Sequence, residues 1–266
     1  MLARDHIGIK PLYYWLGEGS LIFGSELKSI ILHPSVQREV DLDALDQFLT
    51  LEYIPTPRTI FKNIYKLPAG HRLIFQNGQV SVEKYWDIPD IETPENEEDV
   101  QEMLVELIDD AVKMQLMSDV PLGAFLSGGI DSTCVATLAG RSSEMPLKTF
   151  SIGFADGEPD ELPVARDTAI RIGSVHFEGT VSQEDFRNSV DASLDIFDAP
   201  FADTSQVPTA SVSALAASQV KVVLTGDGGD ESFGGYDYGK YISARHSIRP
   251  GFTASLGTLR DWMMYC

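Results

Sequence analysis

FLSGGIDST, residues 125–133, sets two glycines and a run of hydroxyl and carboxylate side chains between an apolar stretch, VPLGAFLS, and a helix-like one, IDSTCVATLAG. Glycines lack a Cβ and let the backbone approach a ligand closely. The N–H groups of a helix start, with Ser127 and Ser132, can then surround an anion. The turn has the makings of a phosphate cradle. It is not a Walker A loop, because that motif supplies a lysine for the terminal phosphates and no lysine lies here. It carries Asp131 instead. A carboxylate inside a phosphate loop repels the ligand unless a cation lies between them, so Asp131 implies Mg²⁺ on the phosphates. The alternative is a tight strand-to-helix turn in which Asp131 is a first-turn charge that suits the helix dipole.

The residues around this turn alternate in the manner of a parallel α/β sheet. A helix with Val100, Met103, Leu104, Leu107, Ile108 and Val112 on one face leads into VPLGAFLS. After IDSTCVATLAG come a strand (LKTFSIGF), a helix (PDELPVARDTAIRIG) and a strand (SVHFEGTV). SQEDFRNSVDASLDIFD opens on a Ser-x-x-Asp capping pattern, TASVSALAASQ reads as a further helix, and VKVVLTGDGGDE as a strand and turn. Ligands of such sheets bind at the carboxyl ends of strands, where the strand order reverses. SGGIDS and TGDGGDE both fall at such ends.

In TGDGGDESFGGY, Asp227, Asp230 and Glu231 crowd among glycines after an apolar strand. Three neighbouring carboxylates repel one another unless a cation or proton intervenes. A second wall of a Mg²⁺–phosphate site explains them; a flexible acidic surface loop is the alternative. A third loop, FDAPFADTSQVPT, gathers Asp198, Asp203, Thr204 and Ser205 around two prolines before a helix, which suits either substrate contact or capping with a rigid bend. His176 is read as a core imidazole, and Asp160 and Glu161 as first-turn helix charges.

Residues 1–86 are turn-rich and strand-like. IKPLYYWLGEGSLIFGSE reads as two strands around GEG, and HRLIFQNGQVSVEKYW as a hairpin around Asn77-Gly78. VDLDALDQFLTLEY between them has helical spacing at Leu42, Leu45, Phe48 and Leu49. DIPDIETPENEED, residues 87–99, is acidic, proline-containing and poor in apolar residues, as a solvated linker would be.

A chain of 266 residues with 43% hydrophobic content buries a sizeable core in one or two domains, and two fit the shift at the linker. The net charge of −20, from 40 acidic and 20 basic residues without a basic cluster, argues against a nucleic-acid partner. No run of about eighteen apolar residues suggests a membrane span. The charged start MLARDHIGIK lacks a signal peptide's apolar centre, so a cytoplasmic location is expected. Cys134 and Cys266 have neither disulfide-framework nor zinc spacing, and Cys134 is read as a buried structural thiol.

FLSGGIDS resembles the SGGxDS pyrophosphate loop of the PP-loop ATP pyrophosphatases. With TFSIGF, DELPVAR, DAPFADTSQVPT and GDGGDESFGGY in that order, the chain closely resembles the glutamine-hydrolysing asparagine synthetases. ARDHIGIKPLYYW, FGSELKSI and the KLPAGHRLIF–YW segment resemble the last part of that family's glutaminase domain. The resemblance implies an α/β fold: a parallel-sheet PP-loop domain, adenine nucleotide alpha hydrolase-like, over residues 100–266. It would follow a β-rich, partial glutaminase domain of α+β character over 1–86 and the linker 87–99. It also implies a ligase in which ATP adenylates the side-chain carboxylate of aspartate, pyrophosphate leaves, and ammonia drawn from glutamine displaces AMP to give asparagine. By motif position, Ser127, Gly128, Gly129, Asp131 and Ser132 would hold the pyrophosphate portion, with Asp131 and Asp230 on Mg²⁺. Leu126, Ser151, Ile152, Gly153 and Gly226 would lie along the nucleotide. Asp227 stands where the family carries an acid near the reacting centre. ATP and Mg²⁺ are the expected cofactors, aspartate, ammonia and glutamine the expected partners, and a homodimer a candidate assembly.

Two departures qualify the likeness. The family's glutaminase domain opens on a cysteine directly after the initiator methionine, whereas Leu2 follows Met1 here, and the glutamine-binding strands upstream of ARDHIGIKPLYY are missing. The family also continues past the GGY segment. The chain is therefore expected to be a C-terminally truncated fragment that does not itself hydrolyse glutamine. Two other readings stand beside the asparagine synthetase one. One is a related PP-loop amidotransferase acting on another carboxylate; the other is a non-catalytic, nucleotide-binding remnant.

Overall fold

The computed structural model describes residues 1–17, 19–89, 96–155 and 161–236, without the side chains of Glu97 and residues 190–195. Asp160, Cys266, residues 90–95 of the expected linker and residues 237–266 of the expected synthetase domain lie outside the described residues. The chain divides into two compact units, Met1–Glu92 with Val190–Thr204, and Thr93–Ser189 with Ser205–Cys266.

The first unit contains β1 (Leu2–Ala3), β2 (Tyr13–Gly17), β3 (Ser20–Gly24), α1 (Leu27–Ile31), α2 (Leu42–Leu51), β4 (Ile64–Lys66), β5 (His71–Gln76) and β6 (Gln79–Lys84). Two antiparallel sheets, ordered β1-β5-β6 and β3-β2-β4, make up its β layer. Successive side chains of a strand point to opposite faces, so neighbours Tyr14 and Trp15 of β2 enter different cores. Tyr14 packs with Leu67 and Leu73, and Trp15 with Leu27, Ile30, Val36 and Ile64. Helix α2 begins where the carboxylate of Asp41 accepts from the amides of Asp43 and Ala44. The β5–β6 hairpin turns at Asn77 and Gly78, with φ of 53° and 75°. Two consecutive left-handed residues are what a two-residue turn matched to strand twist requires.

The second unit follows βαβ logic. Its elements are α3 (Glu97–Gln115), β7 (Leu122–Phe125), α4 (Ile130–Ser142), β8 (Lys148–Phe154), α5 (Leu162–Ile172), β9 (Val175–Val181), α6 (Gln183–Ile196), α7 (Gln206–Ala217), β10 (Val222–Leu224) and α8 (Gly229–Phe233). Helix α6 runs on past the point where the chain enters the first unit. The four strands are parallel and ordered β10-β7-β8-β9. From β7 the chain steps one way to β8 and β9 and then returns to the other side of β7 as β10. The strand order therefore reverses between β7 and β10. Ala124, Leu126, Ala136, Leu138, Ala139, Leu147, Ala165 and Ala169 form the core under α4 and α5. Phe150, Ala216 and Val220 form the core under α7. Small alanines let the helices approach the sheet closely.

Helix α3 uses only part of its expected apolar face. Ile108 and Val112 pack on the core, while Val100, Met103, Leu104 and Leu107 are exposed. Among the described residues no helix is long and apolar enough to cross a membrane.

Candidate functional site

The register of β7 on β10 pairs Gly123 with Val223 and Ala124 with Leu224, so both strands end side by side. FLSGGIDS leaves one end and TGDGGDE the other, and the two turns flank the reversal in strand order. That crevice is where an open parallel sheet binds its ligand.

The first turn is tied by its own hydroxyls. The Ser127 amide donates to Ser132 Oγ at 3.1 Å, the two hydroxyls lie 2.8 Å apart, and the Gly129 amide donates to Ser127 Oγ at 3.0 Å. Ser132 is buried, whereas Ser127 and Gly129 are exposed. Gly129 caps α4 without a side chain, and the helix start faces solvent beside the turn. The Gly128 amide donates to Glu161 Oε2 at 3.3 Å. Glu161 is the N-cap residue of α5, yet its side chain makes no cap hydrogen bond there. A carboxylate oxygen thus occupies one of the turn's amide donors, a contact that a first-turn helix charge does not foretell.

The second turn is pressed against the first. A Cβ built on Gly226 would come 2.8 Å from Ser132 N, and one on Gly229 would come 2.4 Å from Asp131 Cγ. At Gly226 the neighbour is backbone and only glycine fits, whereas at Gly229 a side chain would displace the Asp131 carboxylate. The short helix α8 begins at Gly229 after Gly228, whose φ of 92° suits glycine, and ends at Gly234 with φ of 70°. A Cβ on Gly235 would meet Asp230 Oδ1, so the carboxylate of Asp230 lies against that glycine. Asp227 turns to its own strand end, where Thr225 Oγ1 donates to its Oδ2 at 3.0 Å. Tyr236 donates its hydroxyl to Glu231 Oε1 at 2.6 Å, which holds the Glu231 carboxyl below its usual range.

Of the residues expected along the nucleotide, Leu126 is fully buried and its carbonyl accepts from Ser151 Oγ. Ser151 and Gly153 are buried in β8 and Ile152 is half-buried. Ser151, Ile152 and Gly153 pair with Glu178, Gly179 and Thr180 of β9. Ser151 and Leu126 thus meet through a hydrogen bond one strand away from the turn.

Ligating chemistry is present in kind. Asp131 in the first turn and Asp230 in the second each offer a carboxylate, and Gly229 lies against that of Asp131. Among the described residues no group of three or more His, Cys, Asp or Glu is placed to hold a metal alone. Mg²⁺ takes one or two carboxylates together with phosphate oxygens and waters, so a two-carboxylate donor set fits it. Cys134, one turn into α4, is half-buried, and burial followed by the nearby Asp131 charge pushes its thiol pKa up. A raised pKa disfavours the thiolate and any nucleophilic role. His176 bonds through Nδ1 to Thr149 Oγ1 at 2.9 Å, and burial first of all lowers its pKa.

The first unit contains a cavity of about 800 Å³ with Tyr13, Lys66, Phe197, Asp198 and Phe201 on its wall. None of the residues of the two glycine–acid turns lines it.

Two family models match the chain in succession. The model described as asparagine synthase matches residues 103–264. The chain belongs to the asparagine synthase family. A glutamine amidotransferase domain model matches residues 1–86 of this family member. A putative glutamine-hydrolysing asparagine synthetase 2 of Methanocaldococcus jannaschii is 39% identical over 239 residues, covering 88% of this chain and 46% of the relative. Asparagine synthetase 1 of Bacillus subtilis, also glutamine-hydrolysing, is 34% identical over 88% of this chain and 37% of its own length. The amidase chyE of Penicillium rubens is 33% identical, again over 88% of this chain and 37% of its own. The chain spans less than half the length of these relatives.

Proposed function

We propose that the chain carries the nucleotide-binding half of an ATP-dependent, amide-forming ligase that converts aspartate to asparagine through a β-aspartyl-AMP intermediate. The ammonia would derive from glutamine in the full-length enzyme. The observation that carries this reading is the pairing of SGGIDS and GDGGDE across the reversal point between β7 and β10, with Asp131 against Gly229.

The chemistry follows from what a carboxylate lacks. Its oxygen is too poor a leaving group for an amine to displace, and transfer of AMP to that oxygen, with loss of pyrophosphate, supplies one. Ammonia then attacks the acyl carbon, AMP departs and a proton leaves the nitrogen. In this scheme the Gly128 amide and the Ser127 and Ser132 hydroxyls bind the departing pyrophosphate, while the Ser127 and Gly129 amides hold those hydroxyls in place. Leu126, Ser151, Ile152, Gly153 and Gly226 shape the nucleotide site, and Asp227 assists proton loss from the attacking nitrogen. Asp131 and Asp230 would hold Mg²⁺, which offsets negative charge on the phosphates. Glu161 would release the Gly128 amide as the anion arrives.

A second reading, amidation of a different carboxylate by the same machinery, is favoured by the likeness to the amidase chyE. The experiment that separates the two is pyrophosphate release by the full-length enzyme with ATP, Mg²⁺ and ammonia, run with L-aspartate and with other carboxylic acids. Release that depends on L-aspartate supports the first reading. Release that ignores L-aspartate and follows another acid replaces it with the second.

A further inference from the structure

Helix α3 presents two apolar rows, and only one of them is packed. Ile108, Val112 and Leu116 lie on the core under α4. Val100, Met103, Leu104, Leu107 and Met114 recur at helical spacing along a second row, and all of them are exposed, Leu107 at 57% and Met114 at 63%. Ala111, between Leu107 and Met114 in that row, is exposed as well. Apolar residues over so wide an arc suit a helix covered on more than one side, and a contiguous run of them open to water marks an interaction surface.

Beside the exposed row runs an acidic one. Asp99, Glu102, Glu106 and Asp110 recur at steps of three and four residues, which places them along one flank of the apolar row. Lys113, the single basic residue of α3, pairs with Asp109 instead. Among the described residues no Lys or Arg forms an ion pair with Asp99, Glu102 or Glu106. Such a face fits a partner that is apolar and positively charged at once.

The second unit contains a stretch of that chemistry. Residues 238–266 hold Lys240, Arg245, Arg249 and Arg260 against one acid, Asp261, although the whole chain has 40 acidic and 20 basic residues. The positive excess is therefore local. The same stretch supplies Ile242, Ile248, Phe252, Leu256, Leu259 and Trp262. Its length allows a reach of about 100 Å when extended. That is several times the roughly 28 Å of α3.

We propose that residues 238–266 dock on the exposed row of α3, with their lysine and arginines against its acidic flank. The pairing stays within the second unit. It goes beyond the ligase reading and does not depend on it. Val112 of α3 shares a core with Ala136 and Ala139 of α4, so the docked segment backs the helix that opens on the SGGIDS turn.

The test places the photo-cross-linker p-benzoylphenylalanine at Leu104, at Leu107 or, as a control, at exposed Val105 of the 266-residue protein, and maps the products by mass spectrometry. The probes at 104 and 107 are expected to join peptides from residues 238–266 of the same chain, and the probe at 105 is not. Glu102→Lys with Glu106→Lys is expected to lower the yield of that product about fivefold, as loss of exposed ion pairs would. Arg245→Glu with Arg249→Glu lowers it alike, and the four reversals together restore it. Raising the salt lowers the yield in the Leu107-probe protein without any further substitution. Products that join two chains would assign the face to a second copy, and products confined to other parts of the chain would assign it to another segment. Either result overturns the proposal, as does a yield that neither charge reversal nor salt changes.

Discussion

The carboxylate of Asp131, in the first turn of α4, lies against Gly229, the first residue of α8, so closely that a Cβ there would stand 2.4 Å from Asp131 Cγ. Two turns almost a hundred residues apart in sequence thus form adjoining walls of one crevice. The relationship makes the second turn's glycines part of the first turn's chemistry.

Replacing Gly229 with alanine forces the Asp131 carboxylate to move. ATP–Mg²⁺ binding by Gly229→Ala is expected to weaken about tenfold, the cost of roughly one displaced ligand group, with little change in melting temperature. In Gly226→Ala the Cβ meets the backbone amide of Ser132 at 2.8 Å, which cannot rotate away. That variant is expected to lose about 1–3 kcal/mol of stability as overpacked sites do. Calorimetric titration and thermal unfolding of both variants separate the two effects. An unaltered affinity in Gly229→Ala would contradict the adjoining walls.

Glu161 offers a test of opposite sign. Its carboxylate holds the Gly128 amide at 3.3 Å, the donor that the proposed reading assigns to a phosphate oxygen. Glu161→Gln removes the negative charge that opposes the anion, and ATP affinity is expected to rise severalfold, within the range of an exposed charge interaction. The gain shrinks at high salt as screening removes the repulsion. A weaker affinity in Glu161→Gln would show that the carboxylate supports the nucleotide instead of standing in its place.

His176 sets an acid limit on stability. Its side chain is 11% exposed, and Nε2 finds no hydrogen-bond partner among the described residues, although Glu178 Oε1 lies 3.4 Å away. Burial, the main cause, and the Arg166 charge hold its pKa below 6.5, against the opposing pull of Glu178 and the Thr149 hydrogen bond. The folded ring therefore stays neutral while the unfolded ring takes up a proton as pH falls below 6.5. The unfolded state then binds more protons, so stability is full above pH 6.5 and declines as pH falls towards the folded pKa. Urea unfolding across this window is expected to show that decline in the parent and a shallower one in His176→Asn. Equal slopes in the two proteins would remove His176 from the account.

Much of this fold is legible wherever the signal is local. The helical spacing of Leu42, Leu45, Phe48 and Leu49 announces α2, Asn77-Gly78 announces the β5–β6 turn, and Ser182 and Asp185 form the reciprocal capping pair their spacing suggests. In that pair Ser182 Oγ donates to Asp185 Oδ2 at 2.6 Å and the Asp185 amide donates back to Ser182 Oγ at 3.1 Å. The alternation of apolar strands and helices likewise foretells the parallel sheet, because each βα unit carries its own period. What escapes the reading depends on distant partners. Helix α1 lacks a cap in its own sequence and takes one from Asp198. Glu161 looks like a helix charge until the fold brings Gly128 to it. The exposure of Leu104 and Leu107 shows the same limit, since helical spacing tells which residues share a face but not how much of it is covered.

The central claim is that SGGIDS and GDGGDE form one metal-dependent pyrophosphate site, and ATP binding with and without Mg²⁺ tests it most directly. The measurement is isothermal titration of the protein and of Asp131→Asn with ATP, in the presence of Mg²⁺ and after its removal by chelation. The account predicts tight binding only with Mg²⁺ in the parent, and a loss of that metal dependence in Asp131→Asn, since a carboxylate that would hold the metal is gone. ATP binding that is indifferent to Mg²⁺ and unaltered in Asp131→Asn would contradict it.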